Sequence, residues 1–161
     1  MMKKVIQGEY KMERIKSFCV DHTKLKKGIY LSRLDGDLYT WDIRMTEPNN
    51  EPALDPKAAH AIEHIGATLL RNSSVADKIV YFGPMGCMTG FYLITRDLDM
   101  LASVPVIMDT FKKIADWEGE IPGANPEECG NYTYMDLEGA KAAAKHFLNA
   151  SLEFEYHYLE K

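Results

Sequence analysis

The sequence predicts an α+β fold in a single domain, with an antiparallel β-sheet packed against helices. Three observations carry this. Strand-like segments come first and then alternate with helical ones, which suits helices laid on one sheet. The 161 residues are about one domain's worth, with no internal repeat, linker or low-complexity tract between them. Apolar residues make up 46% and aromatics 11% against 27% charged, so the chain can bury a core without a disulfide scaffold, and disorder is excluded.

Each element has its own justification. Residues 1–16 are charged and mixed, and are expected to be a leader or a short strand. Gly28 to Arg33 predicts a strand, and Asp35-Gly36-Asp37 a turn. Leu38 to Met45 alternates, with Leu38, Thr40, Asp42 and Arg44 on one side and Tyr39, Trp41, Ile43 and Met45 on the other. That is the pattern of a half-buried strand, paired with the first as a hairpin. Tyr39, Trp41 and Met45 fit either the core or a partner's sheet. After a polar loop, Asp55-Pro56 supplies an N-cap and a first helical residue. The helix Lys57 to Arg71 carries apolar groups at Ala58, Ala61, Ile62, Ile65, Leu69 and Leu70. Lys78 to Phe82 and Thr89 to Ile94 are expected strands, joined by the glycine-rich Gly83 to Gly90. A second helix is expected from Pro105 to Trp117, a loop over Glu118 to Glu128, and a short strand over Asn131 to Met135. A last helix begins near Asp136 and runs to about Asn149.

Charge and cysteine usage narrow the class. Nineteen basic against 24 acidic side chains give a net charge of −5, which argues against a large basic nucleic-acid face, though not against a local patch. Cys19, Cys87 and Cys129 are too few and too far apart for a secreted framework. No apolar stretch follows the first lysines, and the longest uncharged run, Ile79 to Thr95, is broken by Pro84 and three glycines. A reducing, cytoplasmic setting is expected, without nucleic acid or membrane.

The sharpest local feature is His60-Ala-Ile-Glu-His64, an HxxEH arrangement inside the first long helix. Residues i and i+4 stand one above the other on one helix face, so two imidazoles can share a metal ion. Glu63 flanks the same face and can reach over the metal as a base. The alternative is a pair of solvated histidines, yet the neighbouring Ala61, Ile62 and Ile65 argue for a packed helix. A catalytic metal wants three protein ligands and an open position. The candidates for the third are His22, His146, His157 and the cysteines. Cys129, in a polar loop, is a better ligand candidate than a cysteine inside a strand, and a half-buried free thiol is the plain alternative. Cys87 sits in the turn between Gly83, Gly86 and Gly90. Glycines there allow positive φ and close approach to a ligand, so Cys87 is either a base or nucleophile at a cavity wall or a small core residue. No phosphate-binding loop follows from that spacing.

Several separated blocks resemble the S-ribosylhomocysteine lyase (LuxS) family. They are Ser17-Phe18 with Asp21-His22-Thr23; Asp42-Ile43-Arg44 with Pro48-Asn49; His60 to His64 followed by Arg71-Asn72; Gly83-Pro-Met-Gly-Cys-Met-Thr-Gly-Phe-Tyr92; and Ile121-Pro122 with Cys129-Gly130, then Leu137 to Lys141. Together they cover roughly residues 17 to 148 in order. The resemblance implies a LuxS/metallopeptidase-like fold over residues 17–161 and the conversion of S-ribosyl-L-homocysteine to L-homocysteine and 4,5-dihydroxy-2,3-pentanedione, the autoinducer-2 precursor. It implies His60, His64 and Cys129 as metal ligands, Glu63 and Cys87 as acid/base residues, and Ser17, His22, Arg44 and Arg71 as substrate contacts. It further implies one Fe(II) per subunit, replaceable by zinc or cobalt, and a homodimer with sites at the interface. This chain departs from the family in having Ala61 for a threonine and Tyr81 for an aspartate. Phe82 and Gly83 stand for isoleucine and serine, and the stretch from His22 to Arg44 is shorter. Two other functions compete. One is an inverted zinc peptidase with a downstream glutamate such as Glu138 as third ligand. The other is a non-catalytic metal-binding protein.

Overall fold

The computed structural model describes residues 4–7 and 10–155. Two short strands, β1 (Lys4–Gln7) and β2 (Tyr10–Glu13), form an antiparallel hairpin. A one-turn helix, α1 (Lys16–Cys19), follows. The main sheet holds β3 (Gly28–Asp35), β4 (Leu38–Arg44), β5 (Ile79–Pro84), β6 (Gly90–Arg96) and β7 (Glu153–Glu155), in the order β5-β6-β4-β3-β7. The first four pair antiparallel, as expected, and β7 adds a parallel edge to β3. Three residues long, β7 leaves no alternation to read in the sequence.

Three long helices cover one face of the sheet. These are α2 (Pro56–Arg71), α3 (Met100–Ala115) and α4 (Leu137–Leu148). Asp55 caps α2 by accepting from the Lys57 backbone N–H, with Pro56 in the first turn, as the sequence predicts. The core joins Trp41 and Ile43 of β4, Phe91 and Leu93 of β6, Ile62 and Ile65 of α2, Phe111 of α3 and Phe147 of α4. Trp41 and Met45 are fully buried there, which decides for the core over a partner's sheet. The opposite face carries a smaller cluster of Val20, Leu25 and Tyr30 from the segment around α1 and from β3.

Four expectations need correction. α3 begins at Met100 rather than Pro105, because Asp99 caps it through the Ala102 N–H. Pro105 then lies inside the helix; the carbonyl it leaves without a donor belongs to Leu101, at the solvent edge with 88% exposure. Residues 131–135 form turns rather than a strand. The segment is tied to itself and to α2: the Tyr134 N–H donates to Asn131 O, the Tyr134 O faces the His60 Nδ1, and the following Asp136 N–H donates to Lys57 O. β4 is covered on both sides rather than half-buried, with Asp42 and Arg44 as inaccessible as Trp41 and Ile43. Lastly, Gly83, Gly86 and Gly90 all keep negative φ, and Met88 takes the left-handed conformation instead, at φ 59°. Among the described residues no helix is long and apolar enough to cross a membrane.

Candidate metal centre and cysteine turn

The helical period of α2 puts His60 and His64 on one face, with ring centroids 4.8 Å apart. The loop between α3 and α4 comes up against that face. The His60 Nδ1 lies 2.6 Å from Tyr134 O, and the His64 Nδ1 lies 2.8 Å from Pro122 O. A carbonyl only accepts, so each Nδ1 carries the proton and each Nε2 keeps its lone pair. Cys129, from the same loop, brings its Sγ to 3.5 Å from the His60 Nε2.

The donor atoms of His60, His64 and Cys129 lie within 4.8 Å of one another. Two neutral imidazole nitrogens and one sulfur suit a zinc-like divalent ion, whose tetrahedral shell holds nitrogen and sulfur about 3.5 Å apart. The residues therefore fit a metal. Among the described residues this is the group with that capacity. Glu138 stands apart in the first turn of α4, His146 lies beside Lys27 and Glu51, and His22 holds Val20 O through Nδ1. His157 lies outside the described residues.

Gly123 was missed in the sequence, and it seats His64. Its φ is +72°, and a Cβ there would stand 3.1 Å from the His64 Nδ1. Beside it opens a cleft of about 550 Å³ lined by Glu63, His64, Thr68, Tyr81, Gly123 and Glu128 among others. The Glu63 side chain has no hydrogen-bond partner among the described residues, so its carboxylate is available to a bound molecule. Tyr81 folds its ring over Gly83, where a Cβ would meet the phenol oxygen at 2.1 Å. Tyr81 and Gly83 thus fit each other.

Cys87 belongs to a second group. It is exposed at the tip of the turn between β5 and β6, where Met88 N–H donates to Met85 O and Leu54 N–H to Met88 O. Two residues apart on β4, Asp42 and Arg44 share a face. The Arg44 guanidinium donates from Nε and Nη2 to the two Asp42 carboxylate oxygens, and both side chains are buried. Its Nη1 donates to Thr89 Oγ1 at 2.7 Å and lies 3.9 Å from the Cys87 Sγ. Thr89 was likewise missed; only its place two residues after Cys87 in the turn could have suggested it. Ser17 is half-buried in α1. Arg71, at the end of α2, donates to Ile79 O and Val80 O and so ties the helix to the irregular start of β5.

A family model described as S-ribosylhomocysteinase (LuxS) matches residues 15–157. The chain belongs to this family. Curated relatives named S-ribosylhomocysteine lyase agree over nearly their whole length. The one from Desulfotalea psychrophila is 51% identical over 148 residues, covering 88% of this chain and 93% of the relative. That from Phocaeicola vulgatus is 51% identical over 148 residues, covering 88% and 92%. That from Borreliella burgdorferi is 49% identical over 143 residues, covering 85% and 91%. Within the stretch that the LuxS family model matches lie His60 and His64 on α2 and Cys129 in the loop after α3.

Proposed function

We propose that this chain cleaves S-ribosyl-L-homocysteine to L-homocysteine and 4,5-dihydroxy-2,3-pentanedione, with His60, His64 and Cys129 holding a divalent metal. The observation that carries the reading is the joint presence of this ligand triad and a base, Glu63, on the same helix, within a LuxS family chain. The proposed ion is Fe(II), one per subunit, with zinc or cobalt able to replace it. When bound, it supplies Lewis acidity toward carbonyl and hydroxyl oxygens.

The chemistry needed is fixed by the substrate. The thioether sits on C5, and its bond breaks easily only beside a carbanion at C4, hence with a carbonyl at C3. The carbonyl must move from C1 to C2 and then to C3. Cys87, as a thiolate, takes the proton from C2 and returns one to C1, then repeats this between C3 and C2. Glu63 relays the hydroxyl protons and removes the C4 proton. The C4 electron pair forms the C4–C5 double bond and homocysteine leaves as its thiolate. The resulting enol gains a proton at C5 and becomes the methyl ketone of the product. Ser17, His22 and Arg44 are assigned to the sugar hydroxyls, and Arg71 to the homocysteine end. The reading includes a homodimer of residues 17–161 with sites at the interface. It also includes a reducing cytoplasmic setting, supported by three free cysteines.

Free-thiol release from the substrate tests this. Glu63→Gln and Cys87→Ala proteins that retain metal are expected to lose about 10²-fold or more in turnover. Cys129→Ala is expected to lose the metal itself. Undiminished thiol release by metal-replete Cys87→Ala would overturn the assignment of that residue.

A further inference from the structure

We propose that Thr89 is a positioning residue that holds the Cys87 sulfur in register with Arg44 and serves it in both protonation states. The inference rests on the reading of Cys87 as the base of the isomerisations. Three distances carry it: Arg44 Nη1 to Thr89 Oγ1 at 2.7 Å, Thr89 Oγ1 to Cys87 Sγ at 3.1 Å, and Arg44 Nη1 to Cys87 Sγ at 3.9 Å. A guanidinium has only donors, so the Thr89 oxygen must accept from Arg44. One lone pair and one hydrogen remain on that hydroxyl, and both can face the sulfur.

When Cys87 carries its proton, the S–H donates to the remaining lone pair. When the sulfur is a thiolate, the hydroxyl turns and donates its hydrogen instead. The bond reverses direction without any heavy atom moving. Thr89 is 7% exposed, so water does not readily substitute for it. The geometry is over-determined from below. Asp42 fixes the guanidinium through both carboxylate oxygens, and the Thr89 carbonyl accepts the Met45 and Thr46 N–H groups. Thr89 belongs to the turn that carries the thiol, but it is its buried end: its hydroxyl is tied to Arg44 of β4 and its carbonyl to the two residues that follow β4. That is the arrangement a proton-shuttling sulfur needs, because a base that wanders on a loop loses its alignment with the carbons it serves.

The test compares Thr89→Val, Thr89→Ala and Thr89→Ser in the metal-loaded enzyme. Two quantities are measured: kcat and KM for thiol release, and the rate of Cys87 alkylation by iodoacetamide at neutral pH, followed on the Cys87 peptide by mass spectrometry. Loss of the hydroxyl in Thr89→Val and Thr89→Ala is expected to lower kcat and the alkylation rate each by about tenfold, with KM within about twofold. Thr89→Ser is expected to restore both to within about threefold. Alkylation of folded Thr89→Ala at the unmodified rate would overturn the proposal, as would a serine variant as impaired as the valine one. Alkylation reads the hydrogen bond without turnover. If Cys87→Ala released thiol normally, the role of Cys87 would fall, and the alkylation arm would still decide that of Thr89.

Discussion

Gly123 and Met88 both adopt left-handed backbone, but for different reasons. At Gly123 the absent side chain lets the Pro122 carbonyl reach His64, since a Cβ there would stand only 3.1 Å from the His64 Nδ1. Met88 takes the same region with a full side chain, which costs about 1–2 kcal/mol, and so stores strain one residue from Cys87. Gly123→Ala is expected to destabilise the fold by about 1 kcal/mol. It should weaken metal retention more than that, because the new methyl pushes on His64, a proposed ligand. Chelator competition alongside thermal unfolding separates the two effects; equal metal retention in both proteins would refute the seating role.

Among the elements, α2 was legible almost residue for residue, because its signals are local: Asp55 caps, Pro56 opens, and the apolar spacing fixes the buried face. α3 was misread for a local reason too, since proline more often opens a helix than interrupts one. Pro105→Ala is expected to stabilise the protein by about 1–3 kcal/mol, because the exposed site regains an N–H for Leu101 O. Urea unfolding measures this, and a lower midpoint would show that the ring packs usefully against its neighbours. The site was legible by halves. His60, Glu63 and His64 follow from helical spacing. Cys129 followed only from family resemblance, because no spacing rule spans the distance from α2 to the loop after α3. Asp42 and Arg44 were visible on one face of β4, yet their burial is a tertiary property that no periodicity announces. Thr89 and Gly123 act through tertiary distances alone.

At the scale of the molecule, one chain leaves apolar side chains at the surface where its N-terminal segment lies. Ile15 and Phe18 are 58% and 59% exposed, next to Ser17, a residue assigned to the substrate. That placement favours the homodimer. Sedimentation at micromolar protein is expected to give a species of twice the 18.3 kDa chain mass, and a single 18.3 kDa species would count against it. The loop from Trp117 to Asp136 has a further consequence. It has no sheet or helix of its own, and both histidines and Cys129 tie it to α2. Ion affinity and loop order are therefore one thermodynamic quantity: whatever entropy the closed loop surrenders is subtracted from the binding free energy. With an ion held there, a chelator is expected to loosen this segment while the sheet and core stay folded, read as faster amide hydrogen exchange confined to residues 121–135.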